Sequence, residues 1–209
     1  MIATRWWWIR HAPVVGHGGR IYGQDDHESD CGNLELFAAL APCLPAQALW
    51  ITTPLKRTRQ TAQALFSAGA SPPAAEREEE DFLEQHFGEW QGLTHDELQA
   101  RRDGAWHRFW HAPASETPPG GESFADVVSR VAGAVRRIGA SETGRDIVVV
   151  AHGGSIRAAL AYALAINADR ALGFAIDNCS LTRLDHFASD DAWRVGAVNY
   201  LPHLRPPQK

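Results

Sequence analysis

A chain of 209 residues, 44% hydrophobic and 22% charged, has the composition of a soluble globular protein able to close a full core. Its formal charge of −5 argues against a nucleic-acid partner, and no run approaches the ~18 apolar residues of a membrane span. Cys31, Cys43 and Cys179 are an odd number without CxxC spacing, which fits neither a disulfide framework nor a zinc site and makes the cytoplasm the default expectation.

Residues 6–9 form an apolar, β-favouring run that suits a strand buried on both faces and ends abruptly in Arg10-His11. Pro13 biases Ala12 to an extended backbone, so no helix starts at once. Residues 14–32 make a long Gly-, Asp- and His-rich loop carrying Tyr22 and Gly23, and loops of that length are commonly functional. Asn33 caps a predicted helix through Leu34, Leu36, Phe37 and Leu40 that stops at Pro42. Residues 48–52 read as a second strand. Thr53 and Pro54 then read as N-cap and first residue of a helix, with Leu55, Thr58, Ala62 and Leu65 on one face and Arg57 and Arg59 on others.

A third strand is expected within 74–80, and the charge run 76–81 reads as a solvated face. Residues 82–92 mix aromatics, glycines and carboxylates without a period, as in an ordered loop. Thr94 with Glu97 has capping-box spacing, and a further helix is expected over 101–111. After a Pro/Gly-rich break at 113–121, Phe124, Val127, Val128, Val131, Val135 and Ile138 mark an amphipathic helix. Residues 146–151 are an uninterrupted run typical of the centre of a parallel sheet, ending in His152-Gly153-Gly154-Ser155. An apolar helix over 156–166, strands at 179–187 and 192–199 and a loosely held tail complete the chain.

Strand and helix alternate, which indicates an α/β fold with a mostly parallel sheet. His11, Arg57 and His152 each follow a predicted strand closely, so they should gather at one edge of that sheet, where such folds bind ligands. Two guanidinium groups and two imidazoles in one pocket need an anion between them, and a phosphoryl group is the natural occupant. An imidazole can also attack phosphorus and split one hard displacement into two easier ones. A carboxyl group would then serve the leaving oxygen, and Glu84 is better placed for this than Glu89.

With these residues in order, the chain resembles the histidine phosphatase superfamily, the phosphoglycerate-mutase-like enzymes. The resemblance rests on Arg10-His11, on the segment 53–62 (TPLKRTRQTA), on Glu84 with 87–92 (FGEWQG), on Gly120-Gly121-Glu122-Ser123 and on Ala151-His152-Gly153-Gly154. It runs from residue 5 to about residue 182 and lies nearest the alpha-ribazole-phosphatase-like branch. It implies a three-layer α/β/α sandwich with a mixed, mainly parallel sheet, forming a single domain over 1–209. It further implies that His11 is the phosphorylated nucleophile, Glu84 the proton donor and acceptor, and Arg10, Arg57 and His152 the rest of the phosphate pocket. Gly153 is expected to offer a backbone N–H to phosphate, Glu122 to lie near the substrate end, and His17, Tyr22 and Gly23 to contribute to substrate binding. No metal or cofactor is implied. The expected partner is a small phosphomonoester or inorganic phosphate, with no nucleic acid and no membrane; a homodimer stays open.

The chain departs from the family pattern at Ala12 and Val14, where Gly and then Thr, Ser or Asn are usual, and at His17, where many members carry Asn. If position 12 needs a positive φ, Ala strains it by ~1 kcal/mol or more. His107 and His111 stand at i, i+4 but lack a third metal ligand, and an exposed helix face is the simpler account. Trp6, Trp7 and Trp8 read as sheet packing, and Asn178 as a turn residue or a pocket residue. There is no G-x-S-x-G elbow, no phosphate-binding G-x-x-x-x-G-K and no G-x-G-x-x-G. The reading that follows is a phosphomonoester hydrolase acting through phosphohistidine. The alternatives are a phosphoglycerate mutase and a catalytically weak phosphate-binding or adaptor protein.

Overall fold

The computed structural model describes residues 2–73 and 76–204, and its strands form one six-stranded sheet in the order β3-β2-β4-β1-β5-β6. β1 (Ala3–Arg10), β2 (Ala48–Thr52), β3 (Arg77–Glu78) and β4 (Asp146–Ala151) run parallel. β5 (Leu181–Phe187) and β6 (Ala192–Tyr200) add an antiparallel pair beside β1. β1 and β4 occupy the centre, as their unbroken apolar runs require: a strand covered on both faces cannot alternate with polar residues.

The side chains of these strands alternate between two helical layers. Ile9, Trp50, Val148 and Val150 pack toward α1 (Leu34–Leu40) and α2 (Lys56–Ser67). Trp6, Trp8, Ile51, Ile147 and Val149 pack toward α4 (Phe124–Ser141) and α5 (Gly153–Ala163). The result is the expected three-layer α/β/α sandwich. Trp6 and Trp8 stack with centroids 5.8 Å apart and meet the edge of Phe82, at 4.9 Å from Trp8. The tryptophans therefore serve packing, and through Phe82 they anchor the loop that carries Glu84.

The local signals hold where the hydrogen bond is local. Asn33 accepts from the Leu36 N–H, and Thr94 and Glu97 close a full capping box on α3 (His95–Arg101). α2 starts at Lys56 rather than Pro54, because the Thr53 hydroxyl is engaged with His152 and Thr58. α5 runs from Gly153 to Ala163, three residues earlier at each end than the apolar run suggested. Of the third strand only Arg77–Glu78 pairs, and Ala74 and Ala75 lie outside the described residues, as does the tail from Arg205. Within the charge run, Glu79 is buried between Arg77 and Arg137 rather than solvated.

The helix expected over 101–111 does not form. The Arg102 guanidinium instead collects the carbonyls of Gly104, Ala105 and His111 and pairs with Glu116, so side-chain bonds replace the helical ladder. His107 and His111 therefore do not share a helix face, and the i, i+4 ligand spacing loses its meaning. A short third helix on the α4/α5 side, α6 (Ala168–Ala171), is capped by Asn167.

Candidate active site

His11 stands one residue beyond β1, and three elements fix its backbone. Its N–H donates to Ala151 O at 2.9 Å, and its carbonyl accepts from Asn178 Nδ2 at 2.8 Å. The neighbouring Cys179, with φ +57°, returns its N–H to Arg10 O at 2.9 Å. The ring Nδ1 lies 2.7 Å from Ala12 O. A carbonyl can only accept, so Nδ1 carries the proton and Nε2 keeps its lone pair. Burial, then the charges of Arg57 and Arg10, push the His11 pKa well below 6.5. The imidazole is neutral and held in the tautomer a nucleophile needs.

His152 caps α5 directly after β4, and its ring centroid is 5.2 Å from that of His11. Arg57 Nε donates to His152 Nδ1 at 3.3 Å, which places the His152 proton on Nε2, 3.0 Å from Thr53 Oγ1. Burial, then Arg57 and His11, push the His152 pKa well below 6.5. Arg57 itself is fully buried, with Nη1 and Nη2 bonded to Asp25 O and Gly23 O and its Cζ 5.1 Å from the Tyr22 ring centre. Desolvation lowers its pKa, but a guanidinium remains charged at any working pH. Arg10 Nη1 donates to Ile176 O at 2.6 Å, whereas its Nε is buried without a hydrogen-bond partner. A buried cationic donor without an acceptor is costly, and an anion beside it would remove that cost.

Glu84 closes the site from the loop after β3. Gly154 N, in the first turn of α5, donates to both carboxylate oxygens at 3.0 and 3.2 Å, and Gln85 N donates to Oε1 at 2.9 Å. A Cβ at position 154 would sit 2.1 Å from Glu84 Oε1, so this contact demands glycine. The loop is held by Arg130, which donates to the carbonyls of Asp81, Leu83 and Glu84. Arg130 is in turn gripped at both Nε and Nη2 by the Glu122 carboxylate, which also accepts from His86 N.

A cavity of about 210 Å³ is lined by Arg10 and Glu84 together with Ile21, Tyr22, Gly23, Phe87, His95, Trp110 and His111. The expected site residues thus divide. His11, Arg10, Arg57, Glu84 and His152 come together; Tyr22 and Gly23 line the cavity, and Gly23 also serves Arg57. Glu122 does not line it, because both oxygens are spent on Arg130 and His86. The Gly154 N–H is directed at Glu84, and a Cβ at Gly153 would meet Arg157 and Arg10. His17 packs edge-on against Tyr22 at 5.3 Å, with Nδ1 3.4 Å from Arg20 O.

The profile of the histidine phosphatase superfamily, branch 1, matches residues 6–200. The chain belongs to that superfamily. The glucosyl-3-phosphoglycerate phosphatase of Mycobacterium tuberculosis is 35% identical over 218 aligned positions, which span 95% of this chain and 96% of that protein. The native structure of the mycobacterial glucosyl-3-phosphoglycerate phosphatase superposes with a TM-score of 0.80 at 30% identity, covering 95% of this chain and 99% of the other. A bifunctional protein of the same organism is 36% identical over 154 residues, or 74% of this chain, yet the match spans only 41% of that protein. The alpha-ribazole phosphatase of Shigella flexneri shares the fold, with a TM-score of 0.75 at 22% identity over 94% of this chain and 96% of the other.

Measured against the superfamily pattern, Ala12 turns out to be a mild departure. Its φ is not positive, its N–H donates to Thr61 Oγ1 at 2.8 Å, and its side chain is buried among Ile9 and Leu181. Several groups around the site have partners that only the fold shows: Arg130, Arg157 and Trp110 act across dozens of residues without a local signature, and Thr53 and Thr61 of the 53–62 motif reach His152 and Ala12. Asn178, ambiguous in the sequence, holds the His11 backbone.

Proposed function

We propose that this chain hydrolyses a small phosphomonoester in two displacements through a phosphohistidine on His11. The observation that carries the reading is the His11 ring: Nδ1 is tied to Ala12 O, and Nε2 is left as an unprotonated lone pair beside Arg10, Arg57 and His152. In the first displacement Nε2 attacks phosphorus, and the Glu84 carboxyl gives a proton to the departing oxygen. In the second, water attacks the phosphohistidine, Glu84 takes its proton, and inorganic phosphate leaves. Arg10 Nε, the Arg57 guanidinium and the neutral His152 ring surround the transferring group, the two arginines balancing its negative charge. The membership in the superfamily and the resemblance to phosphatases support the class. The mycobacterial relative is known in complex with inorganic phosphate and with VO3, the anions this pocket would hold. Cytoplasmic residence belongs to the same proposal.

Hydrolysis is favoured over mutase chemistry by the similarity to a phosphatase along 95% of this chain. Among the described residues, no helix is long and apolar enough to cross a membrane. The test is incubation with p-nitrophenyl phosphate, serine phosphate and 3-phosphoglycerate, scoring free phosphate and isomerised product. Stoichiometric phosphate is expected. Isomerised phosphoglycerate without phosphate release would replace the reading with a mutase, and no turnover with retained vanadate binding would replace it with a phosphate-binding protein.

A further inference from the structure

The cavity extends beyond the phosphate pocket, and its far end has its own construction. Glu84 marks the side on which the leaving oxygen departs, so the leaving group occupies the space running from Glu84 to His111. Trp110 forms one wall and is fixed from behind. Its Nε1 donates to Gln85 Oε1 at 2.9 Å, and Arg157 lies 4.9 Å from its ring centre with Nε bonded to Phe174 O. Phe87 and Ile21 add apolar surface.

His111 lines this space, edge-on to Phe87 at 5.2 Å, 5.6 Å from Trp110 and 6.0 Å from His95. Its Nδ1 is buried without a hydrogen-bond partner. An N–H there would have no acceptor, so the proton resides on Nε2 and makes that nitrogen a donor. Burial, then His95 and Arg102, hold the His111 pKa at about 4, so this donor is uncharged at neutral pH. Arg20, the lining arginine outside the phosphate pocket, is already paired with Glu97 at 3.1 Å and bonded to Gly92 O. Around His111 the cavity thus presents flat aromatic surface and a neutral donor.

We propose that His111 is a specificity-determining residue that donates a hydrogen bond to a hydroxyl of an uncharged, polyhydroxylated leaving group lying against Trp110 and Phe87. Polyhydroxylated rings have an apolar face and polar edges, and a tryptophan wall beside a directed donor matches both. The inference rests on the phosphatase reading, because only that reading makes Glu84 the marker of the leaving side. It deepens that reading by naming the chemistry of the group released.

Steady-state kinetics of the full chain, His111→Phe and His111→Asn on glucose 6-phosphate and on p-nitrophenyl phosphate test it. The latter can stack on Trp110 but carries no hydroxyl for His111. His111→Phe is expected to raise KM for glucose 6-phosphate by about tenfold while leaving kcat for both substrates, and KM for p-nitrophenyl phosphate, within about twofold. His111→Asn, which keeps a donor, is expected to recover part of the loss, and it carries the test if the Phe variant does not fold. Equal changes on both substrates, no change on either, or a wild type that cleaves p-nitrophenyl phosphate but not glucose 6-phosphate would each overturn the role of His111. Absence of turnover on both substrates would instead bring down the phosphatase reading itself.

Discussion

The two ends of the cavity differ in how their residues are held. At the phosphate end, His11 and His152 leave the central strands β1 and β4 directly, and Arg57 lies in the first turn of α2, so the sheet sets their positions. At the other end, Trp110 and His111 lie on a segment without helix or long strand, braced by Arg102, Arg157 and Gln85 through side-chain contacts. Chemistry that tolerates little displacement is built on the sheet edge. Selection of the leaving group is left to a loop that can change without disturbing the sheet.

Substitutions that separate the two ends should differ in size and in substrate dependence. His11→Ala removes the nucleophile and should lower kcat by on the order of 10⁴–10⁶-fold on every phosphomonoester, read by phosphate release. Glu84→Gln should lower kcat by ~10²–10⁴-fold on an alkyl phosphate. The loss should be much smaller on p-nitrophenyl phosphate, whose leaving group needs no proton, and an equal loss on both would deny Glu84 its role at the leaving oxygen. Gly154→Ala adds a Cβ 2.1 Å from Glu84 Oε1 and removes no functional group. It should cost ~10²-fold in kcat by displacing the carboxylate, with little change in vanadate affinity at the His11 end.

A further test reads the buried imidazoles through stability. The folded-state values of His11, His111 and His152 lie below the ordinary 6.5, so the unfolded chain binds more protons once pH falls beneath that value. Stability should therefore decline as pH drops from 6.5 toward about 4, the window set by His111, with His11 and His152 extending the loss to lower pH. Urea midpoints at pH 7.5 and pH 5 measure this, and an unchanged midpoint would contradict the burial assigned to these rings. The smallest effect expected is that of Ala12→Gly. Position 12 needs no positive φ, so restoring the residue usual in the superfamily should change kcat by less than about threefold and lower thermal stability slightly.

How much was legible in the chain follows the same division. The central strands, the Asn33 and Thr94 caps and the α4 stripe were readable because their signals lie within a few residues. His11, Arg57, Glu84 and His152 were readable because each sits at a fixed offset from such an element or in a motif of the superfamily. The expected helix over 101–111 is absent because Arg102 competes for the backbone carbonyls, which nothing in the local sequence reveals. Glu122 was misplaced because its partner Arg130 lies on the next helix, and the grip serves the Glu84 loop rather than the cavity. In each case a long-range side-chain partner, invisible in local pattern, decided the outcome.

The central claim, covalent transfer to a neutral His11, is tested most directly by rapid acid-free quenching during turnover of a ³²P-labelled phosphomonoester. The account requires a protein-bound phosphate that is stable to base, lost in mild acid, mapped to His11 and missing from His11→Ala. Undiminished turnover with no phospho-enzyme, or label persisting in His11→Ala, would contradict it.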